Sequence, residues 1–205
     1  MTAALTPAGF AAATGVSRET LERLEGYATL LAKWQKAINL VAKDSLADVW
    51  RRHMLDSAAL WPLIPAGSGV LVDLGSGAGF PGLVLAIMGF PVVHLVESDA
   101  RKCAFLTEAA RQFAPDTVKV HRGRIEAIDP VPADVVSARA LAGLDTLLGY
   151  ASRFLSSSGV CLFLKGQGAA DELTLASQRW TMSVERFPNP AESSGIILRI
   201  KGLHR

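Results

Sequence analysis

A strand-length apolar run that leads directly into a cluster of glycines limits the fold of this chain more than any other part of the sequence. Residues 70–74 read Val-Leu-Val-Asp-Leu, and residues 75–82 read Gly-Ser-Gly-Ala-Gly-Phe-Pro-Gly. Glycine adopts backbone angles that a side chain forbids, and it lets the chain approach a ligand closely. Pro81 suits the first turn of a helix, where its missing N–H would be unpaired anyway. The segment therefore predicts a buried strand, a tight turn and a helix, with a ligand at the end of the strand.

After residue 67 the sequence alternates short apolar runs with amphipathic segments of helical length, which predicts a mainly parallel sheet with helices on both faces. Strands are expected at residues 70–74, 92–96, 118–121, 134–137 and 159–164. Helices are expected to begin near Pro81, Ala100, Leu144 and Gly168. Near the end of the chain this alternation of strands and helices stops. Two strand-like segments, residues 181–187 and 195–201, follow each other through Pro188-Asn189-Pro190, which predicts an antiparallel pair at one edge of the sheet.

The N-terminal third has the spacing of helices. Apolar residues three and four apart mark one face of a helix from Ser17 to Ile38, and a second helix, capped by Ser45, is expected to end before Pro62. A chain of 205 residues, half of them hydrophobic, can bury one core without disulfides or metal. We therefore expect a single domain, with a doubly wound, Rossmann-like α/β core at residues 67–205 and a helical extension at residues 1–66.

Composition indicates in which cellular compartment the protein acts and which kinds of partner it can have. Cys103 and Cys161 lack metal-ligand spacing and are expected to be reduced and buried. No apolar run approaches the roughly 20 residues that span a bilayer, and no signal-peptide pattern is present, so we expect a cytoplasmic protein without a membrane partner. A formal net charge of +2 does not by itself indicate nucleic acid. Residues 101–125, however, carry six basic and two acidic side chains, a strip that fits either a polyanion or a solvated face.

Two classes of ligand compete for the glycine turn. Gly77, Gly79 and Gly82 match the G-x-G-x-x-G spacing of dinucleotide sites. Asp73 favours S-adenosylmethionine instead, because a carboxylate there attracts an ammonium and a sulfonium but repels a pyrophosphate. Glu97 has the spacing of an acid that accepts hydrogen bonds from ribose hydroxyls, which both ligands carry. The residues thus favour a methyltransferase and leave a nicotinamide-dependent oxidoreductase as the alternative.

Five short motifs follow one another along the chain. They are Asn39-Leu40, Arg52-His53-Met54-Leu55-Asp56-Ser57, the turn at residues 73–82, Ser137-Ala138-Arg139-Ala140 and Leu164-Lys165-Gly166. In these motifs, and over nearly its whole length, the chain resembles the RsmG family, also called GidB, the bacterial 16S ribosomal RNA guanine-N7 methyltransferases. It departs from the family at Glu192-Ser193-Ser194-Gly195, where relatives often carry a basic residue.

The resemblance implies a cofactor, a substrate and a partner. It implies transfer of a methyl group from S-adenosylmethionine to N7 of a guanine in 16S ribosomal RNA, with this RNA or the small ribosomal subunit as the partner. We expect the protein itself to be a monomer. The cofactor contacts that it implies, in addition to Asp73, are Gly75, Gly77, Phe80, Glu97, Ile125, Glu126 and Arg139. The residues themselves do not exclude another RNA, a small nucleophilic substrate, or an RNA-binding module that keeps the cofactor only for stability.

The chemistry of guanine N7 indicates which catalytic groups are needed. N7 has an available lone pair and no proton at neutral pH, so no general base or metal is expected and the enzyme works mainly by positioning. Arg139 follows a strand end and is the predicted positioning residue, gripping the cofactor carboxylate or the guanine edge, with a structural ion pair as the alternative.

Basic residues outside the turn are predicted to meet the RNA. His53 and Asp56, three apart on one helix face, are expected to pair structurally beside the RNA entrance. Lys165 is predicted to contact a phosphate or the substrate. The RNA phosphates on either side of the target guanine are expected to contact five basic side chains, Arg122, Arg124, Lys33, Lys36 and Arg52.

Overall fold

A single seven-stranded sheet organises the chain, in the strand order β3-β2-β1-β4-β5-β7-β6. The computed structural model of the protein describes residues 4–205. The strands are β1 Val70–Leu74, β2 Val92–Glu97, β3 Val118–Arg122, β4 Ala133–Arg139, β5 Leu155–Lys165, β6 Thr181–Pro188 and β7 Ile196–His204. The first five strands pair in parallel, and β7 pairs antiparallel with both β5 and β6. The predicted parallel sheet with an antiparallel C-terminal edge is confirmed.

Helices connect the strands and form the N-terminal region. The α-helices are α1 Pro7–Thr14, α2 Arg18–Trp34, α3 Lys43–Leu46, α4 Asp56–Ala58, α5 Gly82–Ile87, α6 Ala100–Phe113, α7 Leu144–Ala151 and α8 Ala169–Ala176. A π-helix occupies Trp50–Leu55, and 3-10 turns occupy Trp61–Leu63 and Ile125–Ala127. The four helices predicted after residue 67 begin at the expected residue or one residue later.

Two serines at the start of N-terminal helices have different roles. Ser17 caps α2, and its hydroxyl accepts a hydrogen bond from the Thr20 N–H at 3.1 Å. The predicted cap at Ser45 is wrong, because Ser45 lies inside α3 and Ala42 occupies the cap position. The Ser45 hydroxyl instead donates to the Ala42 carbonyl at 2.7 Å and contacts the ring of His53. A residue recruited to a tertiary contact no longer serves as a local cap.

Apolar side chains cover both faces of the sheet. On one face, Leu83 of α5 and Phe105 of α6 pack with Tyr27 of α2, so the N-terminal helices belong to the same core as the sheet. On the other face, Leu147 of α7 and Leu173 of α8 pack against the strands. The doubly wound arrangement is therefore confirmed.

Two expectations drawn from composition are also tested by the structure. Cys103 and Cys161 are both buried and free, as predicted. Within residues 4–205, no helix combines the length and the apolar character that crossing a membrane requires.

Candidate active site

A cleft of about 780 Å³ opens at the carboxyl ends of β1, β2 and β4. This is the edge at which an open parallel sheet binds its ligands. Most of the predicted site residues line the cleft, namely Arg52, His53, Gly75, Gly77, Phe80, Glu97, Arg124, Ile125, Glu126, Arg139 and Lys165. Asp73 and Arg122 are predicted site residues that do not line it.

The glycine turn and Glu97 form one wall of the cleft. Gly75 and Gly77 adopt φ angles of +67° and +57°, a left-handed backbone that favours glycine. The Gly77 N–H donates to Glu97 Oε2 at 2.9 Å, while Oε1 accepts the N–H groups of Ser98 and Asp99. Glu97 is thereby held rigidly at the end of β2, with remaining lone-pair capacity toward the cleft.

A tyrosine from the helical extension supports the turn from behind. The Tyr27 hydroxyl, fully buried, donates a hydrogen bond to the Ala78 carbonyl inside the turn. Gly79 has φ +96°, and a Cβ there would lie 2.9 Å from that hydroxyl. Sequence reasoning assigned Tyr27 only to a hydrophobic face, because nothing in its helical spacing reveals a polar contact 51 residues away.

Asp73 does not reach the cleft, contrary to the expectation that it meets the cofactor's cations. Its side chain is completely buried, with Oδ1 accepting from the Ser137 hydroxyl at 2.7 Å and Oδ2 from the Gly82 N–H at 3.3 Å. Burial raises the pKa of Asp73 from 3.8 to about 6, although the hydrogen bond from Ser137 opposes this shift. In this position the carboxylate ties β1 to β4 and to the start of α5.

The loop after β3 forms the opposite wall. Ile125 is buried, and Glu126 accepts a hydrogen bond from the Tyr150 hydroxyl at 2.7 Å. Arg153 fixes the same loop, because its guanidinium donates to the carbonyls of Ile125 at 2.5 Å and Ile128 at 3.1 Å. Tyr150 also lines the cleft and was not singled out from the sequence.

The predicted pairing of His53 with Asp56 is wrong. The π-helix at residues 50–55 has a wider turn than an α-helix, so a spacing of three does not align these side chains as expected. His53 Nε2 lies 2.8 Å from the Ser45 hydroxyl, and its ring stacks on Phe80 with centroids 4.8 Å apart. Burial, and next the charge of Arg139, lower the pKa of His53 to about 3. His53 is therefore neutral at physiological pH.

Arg139 connects the walls of the cleft. Its Nη1 donates to Asp56 Oδ2 and to the Arg52 carbonyl, each at 3.0 Å, and its guanidinium lies 5.1 Å from the centre of the Phe80 ring. The ion pair that sequence reasoning gave as the alternative is thus present. Arg139 nevertheless lines the cleft, and its Nε and Nη2 make no hydrogen bond to the residues that the structure describes. That edge of the guanidinium is available to a ligand.

Lys165 is also engaged inside the protein. Its ammonium lies 2.7 Å from Glu172 Oε2 and donates to the Ala142 carbonyl at 3.2 Å. The side chain is 11% exposed. Lys165 therefore belongs to the wall of the cleft, and its neutralised charge weakens the argument for a phosphate contact.

The basic residues at the mouth divide into paired and unpaired ones. Arg52 lies 3.8 Å from Glu192. Arg122 and Arg124 are exposed, and neither forms a salt bridge within residues 4–205.

A second cleft, of about 370 Å³, lies beside the first. Lys36, Arg101 and Lys102 line it together with Asp99, whose carboxylate caps α6. Lys102 lines both clefts, so the two adjoin at this side chain.

These features fit an adenosine ligand with an amino-acid tail. Glu97 and Glu126 supply acceptors, the glycines allow close approach of the backbone, and Arg139 presents a free donor edge for a carboxylate. Within the described residues, no group of three or more histidine, cysteine, aspartate or glutamate side chains is arranged to hold a metal ion.

The sheet order and the position of the cleft define a Rossmann-like methyltransferase fold. A solved structure of M. jannaschii TYW2 in complex with AdoMet has a TM-score of 0.58 and 16% identity, covering 83% of this chain and 80% of that chain. A ribosomal protein L11 methylase from Lactobacillus delbrueckii subsp. bulgaricus has a TM-score of 0.60 and 16% identity, covering 73% and 77%. At these identities the likeness concerns the fold alone.

Sequence comparison identifies the family. The model of the family GidB, described as rRNA small subunit methyltransferase G, matches residues 20–196. A Rhodospirillum centenum protein named Ribosomal RNA small subunit methyltransferase G is 62% identical over 93% of this chain and 88% of its own length. A Rhodospirillum rubrum protein of the same name is 56% identical over 98% and 100%. The chain belongs to the GidB family, and the oxidoreductase alternative is not favoured.

Proposed function

We propose that this protein transfers a methyl group from S-adenosylmethionine to N7 of a guanine in 16S ribosomal RNA. The observation that carries the proposal is the rigid Glu97 beside the glycine turn, in a chain that matches the GidB family over residues 20–196. Relatives named Ribosomal RNA small subunit methyltransferase G support the substrate class. The proposal includes a monomeric, single-domain protein that acts in the cytoplasm on this RNA or on the small subunit.

Each wall of the cleft has a role in holding the cofactor. Glu97 accepts hydrogen bonds from the ribose hydroxyls, Ile125 and Glu126 border the adenine, and the free edge of Arg139 binds the carboxylate of the methionine tail. His53 is neutral because its pKa is about 3, so it adds no positive charge against a sulfonium. Asp73 acts from beneath the turn rather than by contact.

Catalysis in this cleft relies on orientation. The cofactor supplies a methyl group activated by the sulfonium to which it is bonded. Guanine N7 offers a lone pair without a proton, so the side chains need only exclude water and align the reactants. Orientation of this kind lowers a barrier by up to roughly 7 to 11 kcal/mol. The fixed stack of His53 on Phe80, next to Arg139, gives one side of the cleft the rigidity that alignment requires.

The basic side chains at and beside the mouth are suited to an RNA strand. Those that form no salt bridge within residues 4–205 are Lys36, Arg101 and Lys102 in the second cleft, Arg122 at the end of β3 and Arg124 in the loop after it. Cations without a salt-bridge partner can bind phosphates without first breaking an ion pair. The target base has to be presented unstacked, because the A-form major groove hides its N7 edge.

The experiment that tests the proposal measures transfer of labelled methyl from S-adenosylmethionine to small ribosomal subunits that lack their natural modification, and to 16S ribosomal RNA alone. The modified base is then mapped. We expect a single product at guanine N7, and Arg139→Ala should reduce its rate strongly while an exposed control such as Arg179→Ala should not. Cofactor binding without transfer to either RNA substrate would refute the proposed activity.

A further inference from the structure

Asn189 lies in the turn between β6 and β7, yet its side chain reaches the cleft. Only 7% of the residue is exposed. Its backbone N–H donates to the Gly195 carbonyl at 3.2 Å, and its Oδ1 accepts the Ala191 N–H at 2.9 Å. Because Oδ1 is taken by a backbone donor, the amide is oriented with Nδ2 pointing away from its own loop.

The Nδ2 group of Asn189 donates to Asp56 Oδ1 at 2.5 Å. The second oxygen of Asp56 accepts from Arg139 Nη1 at 3.0 Å. Each oxygen of this buried carboxylate thus has a donor on a different element, one from the β6–β7 turn and one from β4. With both oxygens bound, the plane of the carboxylate is fixed, and the direction in which Arg139 enters the cleft is fixed with it.

The local structure around Asn189 preserves this orientation. A Cβ on Gly195 would lie 3.2 Å from Asn189 Nδ2 and 3.3 Å from its Cβ, so glycine leaves the space that the amide occupies. The chain therefore holds Asn189 at two points, the Ala191 N–H and the Gly195 backbone, while its Nδ2 crosses to Asp56.

We infer that Asn189 is a positioning residue for methyl transfer, which acts through Asp56 to set the orientation of Arg139. The inference rests on the proposed function, in which Arg139 binds the cofactor. It predicts that Arg139 responds to changes at Asn189 even when the fold and the amount of the native protein do not change.

The first test uses Asn189→Ala, with Ser193→Ala on the exposed part of the same loop as the control. The Nε–H resonance of Arg139, identified by its disappearance in Arg139→Lys, should shift in Asn189→Ala and stay in place in Ser193→Ala. The value of kcat/KM for methyl transfer should fall about tenfold, the order expected when a charge-assisted hydrogen bond is lost. The resonance does not depend on turnover, so it tests the inference even if the proposed activity fails.

The second test uses Asn189→Asp, which keeps the shape of the side chain. Two carboxylates at the 2.5 Å separation now seen between Asn189 and Asp56 share one proton at pH 6, because repulsion between two negative charges raises the pKa at which the pair loses its second proton. The activity of Asn189→Asp relative to wild type should be high at pH 6 and fall as pH rises to 8, because loss of that proton breaks the contact. Ser193→Asp, which adds the same charge on the exposed loop, should show no such fall.

An unshifted Arg139 resonance in Asn189→Ala, or an activity ratio for Asn189→Asp that is independent of pH, would overturn the inference. If Asn189→Ala does not fold, Asn189→Asp still allows both measurements, because its Arg139 resonance and its activity should be close to wild type at pH 6 and depart from wild type at pH 8. A wild-type protein without methyl transfer would refute the proposed function but leave the resonance test standing.

Discussion

Replacing the buried Asp73 by asparagine should stabilise the protein above pH 6. The native state holds a proton on Asp73 up to a pKa of about 6, whereas the unfolded chain releases it near 3.8. The stability that this group contributes is therefore fully present below pH 3.8 and is lost as pH rises through 6. One pKa unit corresponds to about 1.4 kcal/mol, so the loss is at most about 3 kcal/mol.

Asparagine avoids this loss because it stays neutral. Its carbonyl oxygen can accept the Gly82 N–H, and its amide can donate to the Ser137 hydroxyl, so both contacts of Asp73 have a replacement. Urea unfolding at pH 4, 6 and 8 should show the two proteins nearly equal at pH 4, with the variant more stable by about 1 to 3 kcal/mol at pH 8.

The change with pH in the stability difference between Asp73→Asn and wild type tests this reasoning. If Asp73→Asn is less stable than wild type at pH 8, or if the difference does not change between pH 4 and 8, the assigned burial of an ionisable carboxylate is wrong. Asp171→Asn, at an exposed carboxylate on α8, should show no pH-dependent gain. Comparison of variant with wild type cancels the contributions of the other titrating groups.

Three further predictions concern the cofactor, the turn and the RNA. Glu97→Ala should weaken S-adenosylmethionine binding in calorimetry by roughly 1.5 to 3 kcal/mol, and unchanged affinity would remove Glu97 from the site. Gly79→Ala should lower the free energy of unfolding by about 1 to 3 kcal/mol, because a Cβ at φ +96° would lie 2.9 Å from the Tyr27 hydroxyl; an unfolding midpoint equal to wild type would contradict this contact. Arg101→Glu should weaken RNA binding and reduce the slope of log affinity against log salt by about 1, whereas Arg186→Glu, on the β6 edge at the other end of the sheet, serves as the matched control. Equal effects of the two substitutions would refute a specific RNA path through the second cleft.

The elements of the core could be predicted from sequence because their signals are local. The apolar run at residues 70–74 and the glycines after it specify a strand and a turn through backbone preferences alone, and Glu97 follows from spacing. All seven strands and the helices after residue 67 were found in this way. The helix α1 at Pro7–Thr14 was not predicted.

The contacts that organise the cleft could not be predicted, because they join distant parts of the chain. The bond from Tyr27 to Ala78 spans 51 residues, and the bond from Asn189 to Asp56 spans 133. In the π-helix at residues 50–55 successive side chains point in other directions than in an α-helix. The α-helical spacing of three therefore predicted a contact between His53 and Asp56 that does not form. Asp73 was predicted to face the cofactor but is buried beneath the turn. The charge of a residue at a strand end does not reveal whether its side chain points to the cleft or into the core.

The position of β7 inside the sheet has a consequence for how the protein matures. β7 follows β6 in sequence but lies between β5 and β6, so until residues 196–204 have been synthesised β5 pairs only with β4 and β6 pairs with no strand of the sheet. Until then the mostly apolar second half of β5, the six residues from Val160 to Lys165, is an unprotected edge, the kind of surface on which nascent chains aggregate. Insertion of one late strand closes that edge and brings the β6–β7 turn to the cleft in the same event. A molecule that has not completed its sheet therefore also lacks a finished binding site.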